Sequence, residues 1–526
     1  MQKPFSLRFR APVLASVAVA AGLATSLLIP RGAAAQDGAD ALRFLQQLPG
    51  ITATSNGIAG AGIGGRTDAS AFRTNPAGLA WNDKSWFSAS LSNQNVSDEA
   101  IFNAPGSTTR LEPDVSSTGL ASLAYAYKVP TTQGRLVVGA GFNQTSSYDR
   151  SLFYDGTNNA NSITDFFMPL PGEFELNEDA DGVFPTFTRD LSFIAFETFG
   201  IDLSPELIDA GETVPFLPAV SAGTVRQLGA VEEDGRMTEL SFAGAVEVSK
   251  DVMIGVSINI PFGEYDFLRE HTEEDFQNDN DGTGGTTDFS SLRFTESFSS
   301  DFVGVNARFG LSALVAPGAR IGLTIETPTY ISVEESFNTV LETTFDNGDH
   351  FVYGDGLTET AGSGNFDYSI TSPWKIGVGG SFDVSGLTLL ADVEWMDWSQ
   401  LELDADGFSF EQKNQEIRRS LDQVLNARFG AEYRIDKLTL RGGMAVYPDP
   451  RDTDSPLANL DDVDRDRTYF SAGLGYAFSS DVSASISWIQ GQFDDQFRPY
   501  TDVAGAPVVG EEVTTNRVLI GFTFGF

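Results

Sequence analysis

The chain has 526 residues, a formal net charge of -40, two histidines and no cysteine. The absence of thiols excludes disulfides, thiolate metal sites, catalytic cysteines and a lipid-anchoring cysteine. The acidic balance excludes a basic nucleic-acid surface, and no composition break or Pro/Ser-rich linker divides the chain after Asp83.

In chain order, Lys3, Arg8 and Arg10 precede an apolar run from Val13 to Ile29, and Ala33-Ala-Ala35 supplies an A-x-A site before Gln36. That pattern predicts a secretory signal peptide over residues 1–35. The apolar run nearly reaches the length of a membrane helix, but Pro12, Pro30 and the alanine triplet favour cleavage. No other long apolar run exists, so any membrane crossing by the mature chain uses strands. Residues 36–83 are rich in small residues, as in Asn56-Gly-Ile-Ala-Gly-Ala-Gly-Ile-Gly-Gly65. Small residues let backbone pack closely in a confined space, which predicts an internal plug, or hatch.

From Lys84 onward, apolar and small or polar side chains alternate in stretches of about ten residues. The last stretch is the clearest: Val518, Ile520, Phe522, Phe524 and Phe526 share one face of a strand, with Arg517, Gly521, Thr523 and Gly525 on the other. Candidate strands begin near residues 84, 119, 135, 237, 251, 302, 319, 366, 387, 427, 437, 468, 482 and 517. The gaps between them are alternately short, as at Asp436–Lys437, and long, as at 146–236 and 263–301. The expectation is an all-β fold: a transmembrane antiparallel β-barrel of about fourteen strands over residues 84–526, with short periplasmic turns and long acidic extracellular loops. Its place would be the outer membrane of a Gram-negative bacterium, and the C-terminal strand ending at Phe526 the handle for barrel-assembly machinery. Residues 335–368 leave room for a further strand pair.

The acidic loops suit lipopolysaccharide bridged by divalent cations, although a solvated, self-repelling loop is the simpler reading. Within the second loop Phe193, Phe196 and Phe199 stand at helical spacing, either as a ligand groove or as the loop's own core. Among charges on polar strand faces, Arg308, Arg320 and Lys375 lack an evident partner in the sequence and are candidate contacts for a ligand carboxylate. Three Asp-x-Asp-Gly runs, beginning at Asp179, Asp279 and Asp404, lack a full calcium-loop ligand set and read as acidic turns. Gly60-x-Gly62-x-Gly64 has no preceding strand and is no dinucleotide fingerprint. No nucleophile elbow, HExxH motif or other catalytic constellation is present, so neither an enzyme nor a resident cofactor or metal is expected.

Asp40-Ala-Leu-Arg43, Gly57-Ile-Ala-Gly-Ala-Gly62 and Asp68-Ala-Ser-Ala-Phe-Arg-Thr-Asn-Pro-Ala-Gly-Leu79 resemble the hatch of FadL/TodX-type outer-membrane transporters, whose Asn-Pro-Ala signature matches Asn75, Pro76 and Ala77, followed here by Gly78. Barrel segments such as Ile260-Pro-Phe-Gly263, Ser372-Pro-Trp-Lys-Ile-Gly377 and Asp392-Val-Glu-Trp395 are similar as well, while the acidic inserts depart from that family. The resemblance implies passive uptake of small hydrophobic molecules, long-chain fatty acids among them. Its steps would be capture by the loops, a pocket in the lumen, and a hatch-gated exit through the wall beside a kinked strand, for which Gly139 and Gly141 are candidates. A general porin, or a structural or secretion-associated barrel that docks proteins, are the alternatives.

Overall fold

The computed structural model describes residues 38–526 except 105–106, 180–181, 222, 281, 283–284, 355–360 and 452–462; the expected signal peptide lies outside the described residues. Fourteen antiparallel strands close into one barrel, the first pairing with the last from Trp86↔Gly525 to Asn103↔Val508. The tight turns on one rim explain part of the register. Ser385-Gly386 has φ of 49° and 86°, and Asp436 has φ of 53°, as two-residue hairpins matched to strand twist require. The Asp436-Lys437 turn sets Glu432 opposite Arg441 and Arg434 opposite Thr439, as its length predicts.

The period of two becomes two different surfaces. Val518, Ile520, Phe522 and Phe524 on the last strand, and Ile254, Val256 and Ile258 on the fifth, are exposed outward. Arg517, Arg428, Asp392 and Arg308 are buried on the inner face. An outward apolar band around a closed backbone ladder is the arrangement a strand protein needs in hydrocarbon, so this is an outer-membrane barrel.

Several strands run far beyond that band. Strands four, five and six span Val225–Ser249, Val252–Glu274 and Phe289–Ala316. Most of the expected 263–301 loop is therefore strand, carrying Glu264, Asp266, Glu270, Glu273, Glu274, Glu296 and Asp301 on its ladder. Above the membrane both strand faces tolerate polar residues, so the alternation fades while backbone pairing continues. Among the described residues, 335–368 add no extra barrel strand, only a short one, His350–Tyr353, that pairs with Leu341–Thr344. Strand seven, Ala319–Glu326, resumes after a break at Pro328 as Tyr330–Phe345. Strand eight runs as Gly364–Thr371 and then, after a break at Pro373, as Lys375–Val384. The second loop folds on its own core, in which Ile163, Phe167, Ile194 and Phe216 pack against Phe289, Leu341 and Tyr500.

Candidate functional site: lumen, chamber and wall break

Residues 50–81 are threaded through the lumen, and their hydrogen bonds go to the wall. Asn56 Nδ2 donates to Ser487 Oγ at 3.1 Å, Ile63 N to Asp392 Oδ2 at 2.9 Å, and Trp81 Nε1 to Ser312 Oγ at 2.9 Å. Asn75 is fully buried, and the proline after it holds it extended, with φ -161° and ψ 105°. Its side-chain amide donates to Ile63 O at 2.8 Å and to Leu311 O at 3.0 Å, and its Oδ1 accepts from Ala77 N at 3.1 Å. One side chain thus ties two parts of the internal segment to strand six. The wall facing it is glycine at two points: a Cβ on Gly310 would stand 2.0 Å from Asn75 Oδ1, and one on Gly255 would stand 2.4 Å from Ala77 N. Backbone approaches side chain and backbone there without room for a methyl group.

Before this segment, the helix Gly38–Leu45 lies in an apolar chamber. Phe44 meets Tyr148, Tyr265 and Phe302 edge-on at 6.2, 5.8 and 5.0 Å. Leu42 and Leu45 belong to the same cluster as Met396, Trp398 and Val424. Above the chamber, in-register rows of rings climb the inner wall, including Phe267, Phe298 and Phe337. These rings line an open vestibule of about 790 Å³ on the extracellular side. Two smaller cavities, of about 70 and 210 Å³, flank Leu42, Gln46 and Gln47.

Strand three is interrupted. It runs Leu136–Ser147, breaks at Tyr148 and Asp149, and resumes as Arg150–Asn158. Its register with strand four slips at Thr145, which has no partner there, and Tyr148 turns its ring into the chamber. Strand two, Asp114–Val129, pairs with strand three only from Ser122 to Val129. Above Ser122 the two strands part and leave a cavity of about 210 Å³ in the wall, bordered by Ser117, Thr118 and Gly119 on one side and Gln144 and Asp149 on the other. Gln94 and Asp149 line both this gap and the larger lumen cavity. Just below it, the exposed side chains of Leu91 and Leu120 mark the upper edge of the apolar band. Beyond the break, Arg150 pairs with Asp98 at 2.8 Å and with Glu511, which pins the outer half of strand three to strands one and fourteen. At the rim, burial together with Asp149, Asp266 and Glu264 holds the Asp234 carboxyl above the usual aspartate range.

Comparison with known proteins gives the architecture its place. No protein-family model matches the chain. Over 121 residues the chain is 28% identical to alkane uptake protein A of Marinobacter nauticus, a match spanning 22% of this chain and only 26% of that protein's length. A Pseudomonas aeruginosa FadL homologue superposes with a TM-score of 0.53 at 13% identity, covering 91% of this chain and 99% of that one. The chain has the FadL-type fold. A deletion mutant of the TodX monoaromatic hydrocarbon channel superposes with a TM-score of 0.50, again at 13% identity, over 91% of this chain and 99% of that one.

Within this FadL-type barrel the residues singled out from the sequence fall in different places. Asn75, Pro76, Ala77 and Gly78 lie buried in the lumen. Arg308 and Lys375 are not unpartnered cations, because both converge on Glu326, Lys375 at 3.2 Å, and Arg308 also donates to Phe72 O at 2.8 Å. Arg320 donates to Gly65 O at 3.3 Å, and its guanidinium lies 5.1 Å from the Trp81 ring centre. These partners are distant in sequence, on the neighbouring strand or the lumen segment, and spacing along one strand does not reveal them. Phe193 and Phe196 lie on the helix Asp190–Glu197, but Phe199 follows it with φ 58°, so the three do not share one helical face. Each packs on a different ring of the extracellular module: Phe193 on Tyr353, Phe196 on Phe187 and Phe199 on Phe351. The kink is not at Gly139 and Gly141, which face Phe72; it falls at Tyr148-Asp149. The Asp-x-Asp-Gly runs beginning at Asp179 and Asp279 lie partly outside the described residues. No group of three acidic or histidine side chains among the described residues is placed to hold a metal.

Proposed function

We propose that this barrel carries small hydrophobic molecules passively across the outer membrane, with residues 36–83 as its hatch. Cargo would enter the aromatic vestibule, descend to the chamber now filled by Leu42, Phe44 and Leu45, and leave sideways between strands two and three. The observation that carries this reading is the wall gap above Ser122, because it joins a lumen cavity to the upper edge of the apolar band. A hydrophobic solute gains nothing from a water-filled pore and gains the hydrophobic transfer energy by passing from one apolar surface to the next. The names of the FadL-type relatives, an alkane uptake protein and a monoaromatic hydrocarbon channel, agree with such cargo.

The test is uptake of labelled hexadecane, toluene and hexadecanoate by cells carrying or lacking the barrel, beside single-channel conductance in planar bilayers. Barrel-dependent uptake with little ion conductance is the expected result. High ion conductance without uptake of any apolar probe would overturn it in favour of a general porin.

A further inference from the structure

A separate cavity opens inside the rim of tight turns, which in outer-membrane barrels faces the periplasm. It holds about 500 Å³ and is walled by Arg66 and Thr67 of the lumen segment, by strands seven and eight, and by the three strands that follow, Leu387–Asp397, Gln423–Ile435 and Leu438–Tyr447. Four arginines line it, Arg66, Arg320, Arg434 and Arg441, against two carboxylates, Asp383 and Glu432. Glu432 is shared by Arg66 at 2.8 Å and Arg441 at 2.6 Å, and Asp68 holds Arg66 at 2.7 Å from outside the lining. Asp383 accepts from Thr388 and reaches Arg320 only at 4.0 Å. Arg434 stands exposed at the mouth, and among the described residues no carboxylate lies at ion-pair distance from it. The local balance is therefore positive, in a chain whose acids outnumber its bases by 73 to 33.

Three donors on this lining are buried without a hydrogen-bond partner among the described residues: Arg66 Nε, Arg320 Nε and Ser381 Oγ. Ser381 as a whole is only 9% exposed. The three come from different elements and are brought together by register and close packing. Arg320 and Ser381 stand directly opposite each other on strands seven and eight. Gly64 packs so closely on strand eight that a Cβ on it would lie 2.8 Å from Ser381 N, and Arg320 donates to Gly65 O at 3.3 Å, which sets Arg66 beside both. Buried N–H and O–H groups in a folded protein are normally paired, and leaving donors unpaired costs free energy. A negatively charged acceptor answers both the unpaired donors and the excess of cations. Arginine nitrogens favour an oxyanion in that role, and donors from three elements suit a tetrahedral one better than a flat carboxylate.

We propose that Arg66, Arg320 and Ser381 form a phosphate-binding site at the periplasmic mouth of the barrel, with Arg434 attracting the anion from solvent. The ligand is a phosphate group, free in the periplasm or borne on a lipid head, and it bridges residues 64–66 of the lumen segment to strands seven and eight. The site is independent of the cargo, because its cavity shares no lining residue with the vestibule, the chamber cavities or the wall gap.

Calorimetric titration of inorganic phosphate into the detergent-purified full chain, at a pH where phosphate is a dianion, tests the site. Saturable binding is expected, and R320Q and S381A should each weaken it by about tenfold, the scale of one charge-assisted hydrogen bond. R434Q, at the solvated mouth, should weaken it by only about twofold. Acetate binding as tightly as phosphate, or equal losses in all three variants, overturns the assignment. Heat-modifiable gel mobility establishes that each variant is a folded barrel. A short-chain phosphatidate as second titrant separates the two sources. Binding of phosphatidate with inorganic phosphate inert assigns the group to a lipid head, and binding of neither overturns the proposal. The bridge has its own readout, because the chain has no cysteine: T67C introduces a single thiol on the cavity lining. Phosphate should slow maleimide labelling of T67C and fail to do so once R320Q is added. Equal slowing in both would remove Arg320 from the site.

Discussion

The backbone N–H of Leu48 donates to the carbonyl of Thr145 across 2.8 Å, joining the lumen segment to the one residue of strand three that slips out of register with strand four. A bulge residue leaves the ladder and is free to pair elsewhere. Here its carbonyl finds the internal segment. The bond therefore sits where motion of that segment would first reach the wall gap.

Leu48→Pro removes this donor, and Pro49 already follows, so the local chain is extended in either case. A single net hydrogen bond is worth about 0.5–1.5 kcal/mol. Basal uptake of an apolar probe should therefore rise by about two- to tenfold, with barrel stability little changed, since the strand ladders are untouched. Unchanged uptake in L48P would show that this bond does not restrain the gap.

Asn75 makes three hydrogen bonds with one buried side chain. Asn75→Ala leaves the Ile63 and Leu311 carbonyls and the Ala77 N–H without it, at about 1–3 kcal/mol for each buried group left unsatisfied. The segment should then leave its seat rather than unfold the barrel. The expected result is higher ion conductance and easier proteolysis between residues 50 and 81, with the heat-modifiable gel shift retained. Asn75→Asp keeps the acceptor for Ala77 N but loses both donors, so it should behave much like alanine. A barrel that stays silent in bilayers with either variant would count against the hatch.

The barrel was legible because a bilayer imposes one rule on every strand, apolar outside and polar or small inside, and strand fourteen obeys it from Val518 to Phe526. Thirteen further strands followed from the same rule and from the alternation of short and long gaps. What escaped is governed by something else. The outer halves of strands four to six stand above the apolar band and turn polar residues outward, so Glu264 and Asp266 looked like loop, although Tyr265 between them is buried. The partners of Arg308 and Lys375 meet at Glu326 only because three neighbouring strands share a register. The break in strand three bears no proline or glycine. Tyr148-Asp149 marks it only by placing an aromatic ring where the outward alternation would have continued.

Asp234 offers a pH test of the gap. Its carboxyl is held above the usual aspartate range by burial and by Asp149, Asp266 and Glu264. An acid with a raised pKa in the closed rim favours that rim when protonated. The preference is complete below the ordinary aspartate value of about 4 and is lost as pH rises through the raised value. Uptake should therefore increase from about pH 4 upward and then level off. The effect is modest, because Asp234 is largely exposed to solvent. Asp234→Asn should flatten the profile, whereas a profile equally steep in D234N would assign it to other groups.

Gly119 offers a test of the direction of exit. It borders the gap from strand two, and a Cβ built on it meets nothing closer than Arg236 at 3.9 Å. A side chain can therefore start from this position into the opening without its Cβ meeting backbone. Gly119→Trp should fill the space between strands two and three while leaving the chamber around Trp398 and Met396 untouched. Ligand binding to the purified barrel should then match the parent, and uptake by cells should fall to the level of cells without the barrel. A cargo that instead traverses the whole lumen to the periplasm never meets residue 119, so G119W would leave its uptake intact. That outcome would retain a hydrophobic transporter and discard the sideways exit.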